Sequence, residues 1–232
     1  MRSRRIYWAL GLLTLLLAAA APWYDRPWSD ALMARPMRAF AAWMEQSMFE
    51  GEGFGGSDLG QLVPILSALG YLVYARRKLE PAHWLRGTLA YAASATLLAT
   101  VLLIHLPKYT IARARPYQVY GKAQQPYSEW YQVRSERWGT RYSGSFPSGH
   151  VAATCMTFPL ALVLVHSARR RTRMAGWMLG AGTLALALAM AIARVMARKH
   201  WLSDGLMIIP ISAMFYLAYY EFFFGRRARN VT

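Results

Sequence analysis

Two histidines in the sequence stand beside residues that could make them reactive. His150 ends the stretch Pro147-Ser148-Gly149-His150, directly before an apolar segment at residues 151–167. A helix that begins there would direct its free backbone N–H groups, and the positive end of its dipole, at a group lying over Ser148 and Gly149. The stretch therefore predicts an anion-binding turn with a titratable imidazole beside it.

The second histidine, His200, has a carboxylate four residues further along the chain. In a helix, His200 and Asp204 share one face, so the carboxylate would fix the imidazole tautomer and leave the other ring nitrogen free to attack. Arg194 precedes His200 by six residues, which in a continuous helix turns it roughly 240° away. We therefore expect the chain to bend between Met196 and His200, so that Arg194 ends one helix and His200 opens the next.

A third stretch, residues 108–116, supplies positive charge. Lys108 and Arg115 are seven residues apart, which in a helix is two turns along almost the same face. Arg113 lies between them, and Pro116 is expected to end that helix. Alone, such cations are typical of membrane-surface anchors. Together with two histidines, a carboxylate and a helix N-terminus, they predict a phosphate site with an acid and a nucleophile.

The elements that must position these residues are membrane helices. Hydrophobic residues make up 56% of the 232-residue chain and charged residues 16%. Apolar blocks recur at about 20 residues each, the length that crosses a hydrocarbon core roughly 30 Å thick. We predict an all-α, single-domain membrane bundle over residues 1–232 with an outer-face active site. Its six transmembrane helices are expected at residues 6–23, 59–75, 84–106, 148–167, 174–196 and 206–224.

The net charge of +16 indicates membrane orientation and contact with anionic lipid, not nucleic-acid binding, because the basic residues cluster beside the spans. If the chain crosses the membrane six times, every cluster falls on the same side. By the positive-inside rule, that side is the cytoplasm. Both termini are then cytoplasmic, and the three polar stretches lie outside. The clusters are Arg2, Arg4 and Arg5; Arg76, Arg77 and Lys78; Arg169, Arg170, Arg171 and Arg173; and Arg226, Arg227 and Arg229.

Two outer segments connect the spans. Pro27 and Pro36 bracket a predicted break, after which residues 32–48 have the periodicity of a short helix within an interfacial segment at about 27–56. Around Ala18 the first apolar block also suits a cleavable signal peptide, and that alternative stays open.

The longer outer loop, at about 107–147, combines aromatic and basic residues. Aromatic residues at this position are typical of an interfacial belt, with a rim that handles a charged head group as the alternative. The aromatic residues are Tyr117, Tyr120, Tyr127, Trp130, Tyr131, Trp138 and Tyr142, and the basic residues among them are Lys122, Arg134, Arg137 and Arg141.

The three polar stretches resemble the three motifs of the type 2 phosphatidic acid phosphatase (PAP2) superfamily, and six spans match its membrane branch. One position departs from the pattern, because Ala193 stands where the third motif usually begins with serine. The matches are Lys108 with Arg115-Pro116 to KxxxxxxRP, Pro147-Ser148-Gly149-His150 to PSGH, and Arg194 with His200 and Asp204 to SRxxxxxHxxxD.

The resemblance implies a metal-independent phosphatase without a cofactor, and too few carboxylates lie nearby for a zinc or magnesium site. His200 would attack phosphorus and form a phosphohistidine, with Asp204 orienting it. His150 would protonate the leaving oxygen and then activate water. The phosphoryl oxygens would be held by Lys108, Arg115, Arg194, Ser148 and the Gly149 amide.

The resemblance suits a lipid phosphatase of the inner membrane that hydrolyses undecaprenyl diphosphate or phosphatidylglycerol phosphate at the periplasmic face. The arginines of the outer loop also suit lipid A, by hydrolysis or by transfer to another lipid. The expected partners are a lipid phosphate and membrane lipids, with no nucleic acid, and the oligomeric state stays open. A vanadium-dependent haloperoxidase and a non-enzymatic lipid binder are the rivals. The six spans oppose the first, and the placement of His150, His200 and Asp204 opposes the second.

Overall fold

A computed structural model gives the structure of the chain and describes residues 2–35, 39–40, 59–77, 83–137 and 144–229. Over these residues the regular structure is helical throughout, which confirms the predicted all-α class. The α-helices are α1 (Arg2–Met33), α2 (Leu59–Arg77), α3 (His83–Ala99), α4 (Leu106–Ile111), α5 (Pro116–Val119), α6 (Gly149–Thr154), α7 (Phe158–Val165), α8 (Arg170–Met196), α9 (Leu202–Leu206) and α10 (Ile208–Arg229).

Apolar helices occupy all six predicted span positions. In the described residues, four helical stretches have the length and hydropathy to cross a membrane, and two shorter apolar helices take the second and fourth positions. The fourth is divided because a 3₁₀ turn, Cys155–Thr157, separates α6 from α7. The four long stretches are Arg5–Met33, Leu85–Val119, Arg170–Met196 and Leu202–Gly225, and the shorter ones are Leu62–Val73 and Gly149–Val165.

The first helix is longer than predicted. It continues through Pro22 and Pro27 to Met33, so the break expected at Pro27 is wrong. A proline removes the N–H that would bond the carbonyl four residues earlier. For Pro22 that carbonyl belongs to Ala18, and the indole N–H of Trp130 donates to it at 3.4 Å. The expected helix at residues 32–48 falls largely outside the described residues.

The third span ends differently from the prediction. A π-helical segment, Thr100–His105, leads into α4, which stops at Ala112 in a left-handed conformation with φ of 51°. Arg115 is extended, as residues before proline usually are, and Pro116 opens α5 at its first position, where proline is favoured. Lys108 and Arg115 therefore do not share a helix face, and Pro116 begins a helix where it was expected to end one.

The bundle core lies where α3, α6, α8 and α10 meet, and small residues bring the helices close. Tyr91 of α3 is fully buried, and its hydroxyl donates to the carbonyl of Tyr216 in α10 at 2.8 Å. A Cβ atom added to Gly205 in α9 would lie 2.6 Å from the Cβ of Ala191 in α8. Since neither atom can rotate away, α9 approaches α8 as closely as it does only because residue 205 is glycine.

Two of the basic clusters lie at helix ends remote from the polar stretches. In α8, Arg170 starts the helix and Arg194 is in its last turn, about 36 Å apart at 1.5 Å per residue. In α1, Arg5 is far along the helix from Asp25, which pairs with Arg113 of the first polar stretch. The arrangement agrees with the one-sided charge distribution on which the topology prediction was based.

Replacing Gly205 by alanine should destabilise the fold, since α8 and α9 must move apart. We expect a loss of about 1–3 kcal/mol, measured as a lower Tm by tryptophan fluorescence in detergent. The matched control is Gly182→Ala, because a Cβ atom at Gly182 meets nothing within 4 Å. Equal Tm values for the two variants would contradict the close contact.

Candidate active site

The three polar stretches meet at one end of the bundle. Lys108 comes from α4, and its ammonium nitrogen would lie 3.4 Å from a Cβ atom placed on Gly149. The backbone N–H of Ser148, the N-cap of α6, donates to the carbonyl of Asp204 at 2.9 Å. The first stretch is thus beside the second, and the second is hydrogen-bonded to the third.

The chain bends after Arg194, as predicted, although the next helix begins later than expected. α8 ends at Met196, and the backbone N–H groups of Lys199 and His200 both donate to the Arg194 carbonyl, at 3.1 and 3.3 Å. α9 begins only at Leu202. His200 therefore lies in the turn between the two helices, where its ring can face the second polar stretch.

His200 is buried, and its ring is held by the main chain. Nδ1 lies 2.7 Å from the carbonyl oxygen of Ser145 and 3.6 Å from Oδ2 of Asp204. Because a carbonyl oxygen only accepts hydrogen bonds, Nδ1 carries the proton and Nε2 holds the lone pair. The Ser145 carbonyl is thus the nearer partner of Nδ1, and the Asp204 carboxylate, predicted to fix the tautomer, lies close to the same nitrogen.

Asp204 is fully buried and bound by several donors. Its Oδ1 accepts from Nη1 of Arg113 at 2.8 Å. Its Oδ2 accepts from the backbone N–H of Trp201 at 2.8 Å and from the hydroxyl of Ser145. These donors favour the ionised carboxylate. From 3.6 Å, that negative charge favours positive charge on the His200 ring.

Arg113 lies beside Asp204, and every N–H group of its guanidinium donates to an acceptor within the protein. Its side chain has no exposed surface, and it forms ion pairs with Asp25 at 2.6 Å and with Asp204 at 2.8 Å. Guanidinium has five N–H donors, and the five contacts here leave none for a phosphate. The acceptors are the Ser128 carbonyl, the Ser203 and Tyr127 hydroxyls, and the Asp25 and Asp204 carboxylates.

Several positively charged side chains lie near the start of α6. The Ser148 hydroxyl is buried and has no hydrogen-bond partner among the described residues, a rare state for a buried polar group. His150, the second residue of α6, is partly buried. The side chains whose charges act on His150 include Lys108, Arg115, Arg194 and His200. The first two of the three predicted stretches, together with Arg194, therefore bring positive charge to the start of α6.

The electrostatic environment keeps His200 neutral. Burial lowers the pKa of its imidazole from 6.5 to about 4, and the positive charges of Arg194 and Arg115 act in the same direction. The Asp204 carboxylate opposes this shift. A neutral imidazole at neutral pH is the form that can attack an electrophile.

Three aromatic residues in the described part of the outer loop pack against the site. The rings of Tyr127 and Tyr120 contact Trp201, with centroids 4.8 and 5.9 Å away, and Trp130 contacts Phe146 at 5.9 Å. These rings pack on Trp201 and Phe146, which lie in the third polar stretch and directly before the second.

Of the arginines that suggested a highly charged head group, one is already paired within the loop. Arg134 forms an ion pair with Glu136. The side chains of Arg137 and Arg141 lie outside the described residues, as do Trp138 and Tyr142.

Sequence reasoning missed several supporting residues. Asp25 and Ser29 of α1 are fully buried beside α9, and the main chain of Ser145 holds His200. A signal existed for Asp25, since an ionisable residue beside a membrane span is a functional candidate by default. The Ser145 carbonyl had no comparable signal because every residue carries one. Within the described residues, no group of three or more His, Cys, Asp or Glu is placed to hold a metal ion.

One comparison with known proteins, against protein families, agrees with the motifs. The family model described as "PAP2 superfamily" matches residues 65–228. Among solved structures, a transmembrane PAP2 type phosphatidylglycerolphosphate phosphatase from Bacillus subtilis is 20% identical, with 93% of this chain and 94% of that chain covered and a TM-score of 0.43. A comparison with curated proteins gave no significant match.

Arg113→Gln should strongly destabilise the protein, because two buried carboxylates would lose their common cation. We expect a loss of about 3–5 kcal/mol, seen as a lower Tm by tryptophan fluorescence in detergent. Arg134→Gln is the matched control, since its ion pair with Glu136 is partly exposed and contributes about 1 kcal/mol or less. The buried network has the wrong partners if both variants unfold at the same temperature.

Proposed function

The chain belongs to the PAP2 superfamily, a family of metal-independent phosphoesterases, and is a membrane lipid phosphatase; we propose that it removes phosphate from a lipid phosphate or diphosphate head group through a phosphohistidine. The proposed site is at the outer face of the inner membrane. The whole chain, residues 1–232, is proposed to form one domain. Support for the outer face comes from two of the basic clusters, which lie at the opposite helix ends and by the positive-inside rule mark the cytoplasm.

One observation carries the assignment of the nucleophile. The hydrogen bond from Nδ1 of His200 to the Ser145 carbonyl, 2.7 Å long, leaves the lone pair on Nε2. The low pKa of His200 makes that lone pair available at neutral pH. The hydrogen-bonded Nδ1 and the free lone pair on Nε2 together support His200 as the nucleophile.

In the first half-reaction, Nε2 of His200 attacks phosphorus while the bond from phosphorus to the leaving oxygen breaks. His150 donates a proton to that oxygen. Lys108, Arg115 and Arg194, with the Ser148 hydroxyl and the Gly149 amide, hold the equatorial oxygens, on which charge is spread in the transition state. Asp204 stabilises the positive charge that His200 acquires as a phosphoimidazolium.

In the second half-reaction, His150 accepts a proton from water as that water attacks phosphorus. The bond between phosphorus and Nε2 breaks, inorganic phosphate forms, and His200 returns to its neutral state with the proton still on Nδ1. Because Nδ1 keeps its partner throughout, the ring need not turn between the two steps.

The proposed substrate class is undecaprenyl diphosphate or phosphatidylglycerol phosphate. Both present a terminal phosphate on a membrane-anchored lipid, which suits a site at the end of a helix bundle. The leaving group of a diphosphate is a lipid phosphate, whereas that of a monoester is an alcohol. Because the alcohol oxygen is the more basic of the two, hydrolysis of the monoester depends more on protonation by His150.

Inorganic phosphate release by the purified protein tests the proposal. The panel is undecaprenyl diphosphate, phosphatidylglycerol phosphate, phosphatidic acid and lipid A. We expect release from one of the first two lipids at the highest rate, and none from any lipid with His200→Ala at an unchanged elution volume. His105→Ala is the control, because His105 lies on the π-helical segment and stacks on Tyr109. Turnover retained by His200→Ala would show that another group is the nucleophile.

The low pKa of His200 predicts activity on the acid side of neutrality. Free enzyme reacts only when His200 is neutral. Protonation of His200 should therefore lower kcat/KM only near pH 4. At pH 5.5 an ordinary histidine is about 90% protonated, whereas His200 should remain almost fully neutral. We expect kcat/KM at pH 5.5 to be no lower than at pH 7, after correction for substrate ionisation measured by phosphorus NMR, because protonation of the proton donor His150 only increases as the pH falls. A corrected acid limb centred near pH 6.5 would contradict the burial argument.

A further inference from the structure

The first helix reaches into the site although it precedes the region that the family model matches, residues 65–228. Asp25 and Ser29 lie one turn apart on α1 and are both fully buried. Most of the apolar surface of α1 faces outward, with Trp23 77% exposed. The polar contacts of Asp25 and Ser29 are therefore a distinct feature of a helix that is otherwise lipid-facing.

These two side chains cap α9 from outside it. The backbone N–H of Leu202 donates to the Ser29 hydroxyl at 3.0 Å, and that of Ser203 donates to Oδ1 of Asp25 at 2.7 Å. The preceding N–H, from Trp201, donates to Asp204 within the same turn at 2.8 Å. The first N–H groups of a helix have no partner inside it, and here α1 supplies two of the acceptors.

Asp25 also holds the guanidinium that binds Asp204. Its Oδ2 accepts from Nη2 of Arg113 at 2.6 Å and from the Tyr127 hydroxyl at 3.2 Å. Through Nη1, the same guanidinium donates to Asp204 and to the Ser203 hydroxyl, both at 2.8 Å. A single carboxylate of α1 therefore contacts α9 directly and contacts Asp204 through Arg113.

We propose that Asp25 and Ser29 are positioning residues for phosphoryl transfer, because they set the placement of α9 and of the Asp204 carboxylate beside His200. This inference rests on the proposed function, in which His200 is the nucleophile. Neither residue touches the phosphate. α9 opens the helical stretch Leu202–Gly225, and the contacts with Ser29 and Asp25 fall on its first N–H groups, so they help to set where Asp204 lies. A displacement of about 1 Å in such a support can lower a rate by about 10²-fold.

Asp25→Asn tests the proposal with little change of shape. The amide oxygen can still accept from Ser203, but the charge facing Arg113 is lost. We expect the burst of product release that accompanies phosphohistidine formation to slow by about 10- to 100-fold in rapid-quench measurements. The substrate is the lipid of the panel that the unmutated protein hydrolyses fastest. Competitive inhibition by inorganic phosphate should stay within about threefold, because the residues proposed to hold phosphate are untouched.

Asp30→Asn is the matched control. It makes the same substitution on the same helix, at an exposed carboxylate that accepts from the Tyr120 hydroxyl. Its burst rate and phosphate inhibition should equal those of the unmutated protein. A burst rate in Asp25→Asn equal to that of the control overturns the proposal. Parallel losses of burst rate, phosphate inhibition and Tm also overturn it, because they indicate a general packing role.

Two further measurements accompany Asp25→Asn, and the first of them also covers its failure to fold. Ser29→Ala removes only the acceptor for Leu202, and we expect its burst to slow by about threefold or more with phosphate inhibition retained. An unchanged burst in a folded Ser29→Ala overturns the capping role. If Asp25 acts through Arg113, the effects of Asp25→Asn and Arg113→Lys on the burst rate should be non-additive, and additive effects overturn that link.

Failure of the proposed function gives a different result. If His200→Ala retains product release, the nucleophile assignment fails before any variant of α1 is compared. If the unmutated protein shows no burst, phosphohistidine formation is its slow step, and the single-turnover rate replaces the burst rate in every comparison. If the unmutated protein shows a burst that His200→Ala abolishes, the Asp25 and Ser29 variants test positioning alone.

Discussion

The structure depends on one buried cation held between two carboxylates. Arg113 pairs with Asp25 of α1 and Asp204 of α9, and no part of the three side chains is exposed. Removing a guanidinium from water is costly unless every donor is satisfied, and here each N–H has an acceptor. The pairing joins the first helix, the end of the third span and α9, which are far apart in the sequence.

The cations of this region fall into two groups. Arg113 is neutralised within the protein, whereas Lys108, Arg115 and Arg194 gather around His150 and the start of α6. These three cations would oppose the charge of a phosphate. In the proposed mechanism, His200 gains positive charge only when it is phosphorylated, and Asp204 lies close enough to compensate it.

Much of this arrangement could be predicted from the sequence, and the failures have physical reasons. Apolar block length predicted the six helical positions, and the spacing of Arg194 and His200 predicted the bend. Helix periodicity misplaced Arg115, because it takes no account of the left-handed turn at Ala112. The contacts of Asp25 could not be derived, since its partners are about 90 and 180 residues away and pairings at that separation leave no local pattern.

The carbonyl of Ser145 has a consequence for how the site tolerates change. It belongs to the peptide unit, so every amino acid at position 145 presents the same acceptor to Nδ1 of His200. Point substitutions can alter the charge around the imidazole, but the proton on Nδ1 is insensitive to the identity of the side chain there. Insertions or deletions before Phe146 would act differently, because they move the main chain itself. The choice of reactive nitrogen is thus robust to residue replacement and vulnerable to changes in loop length.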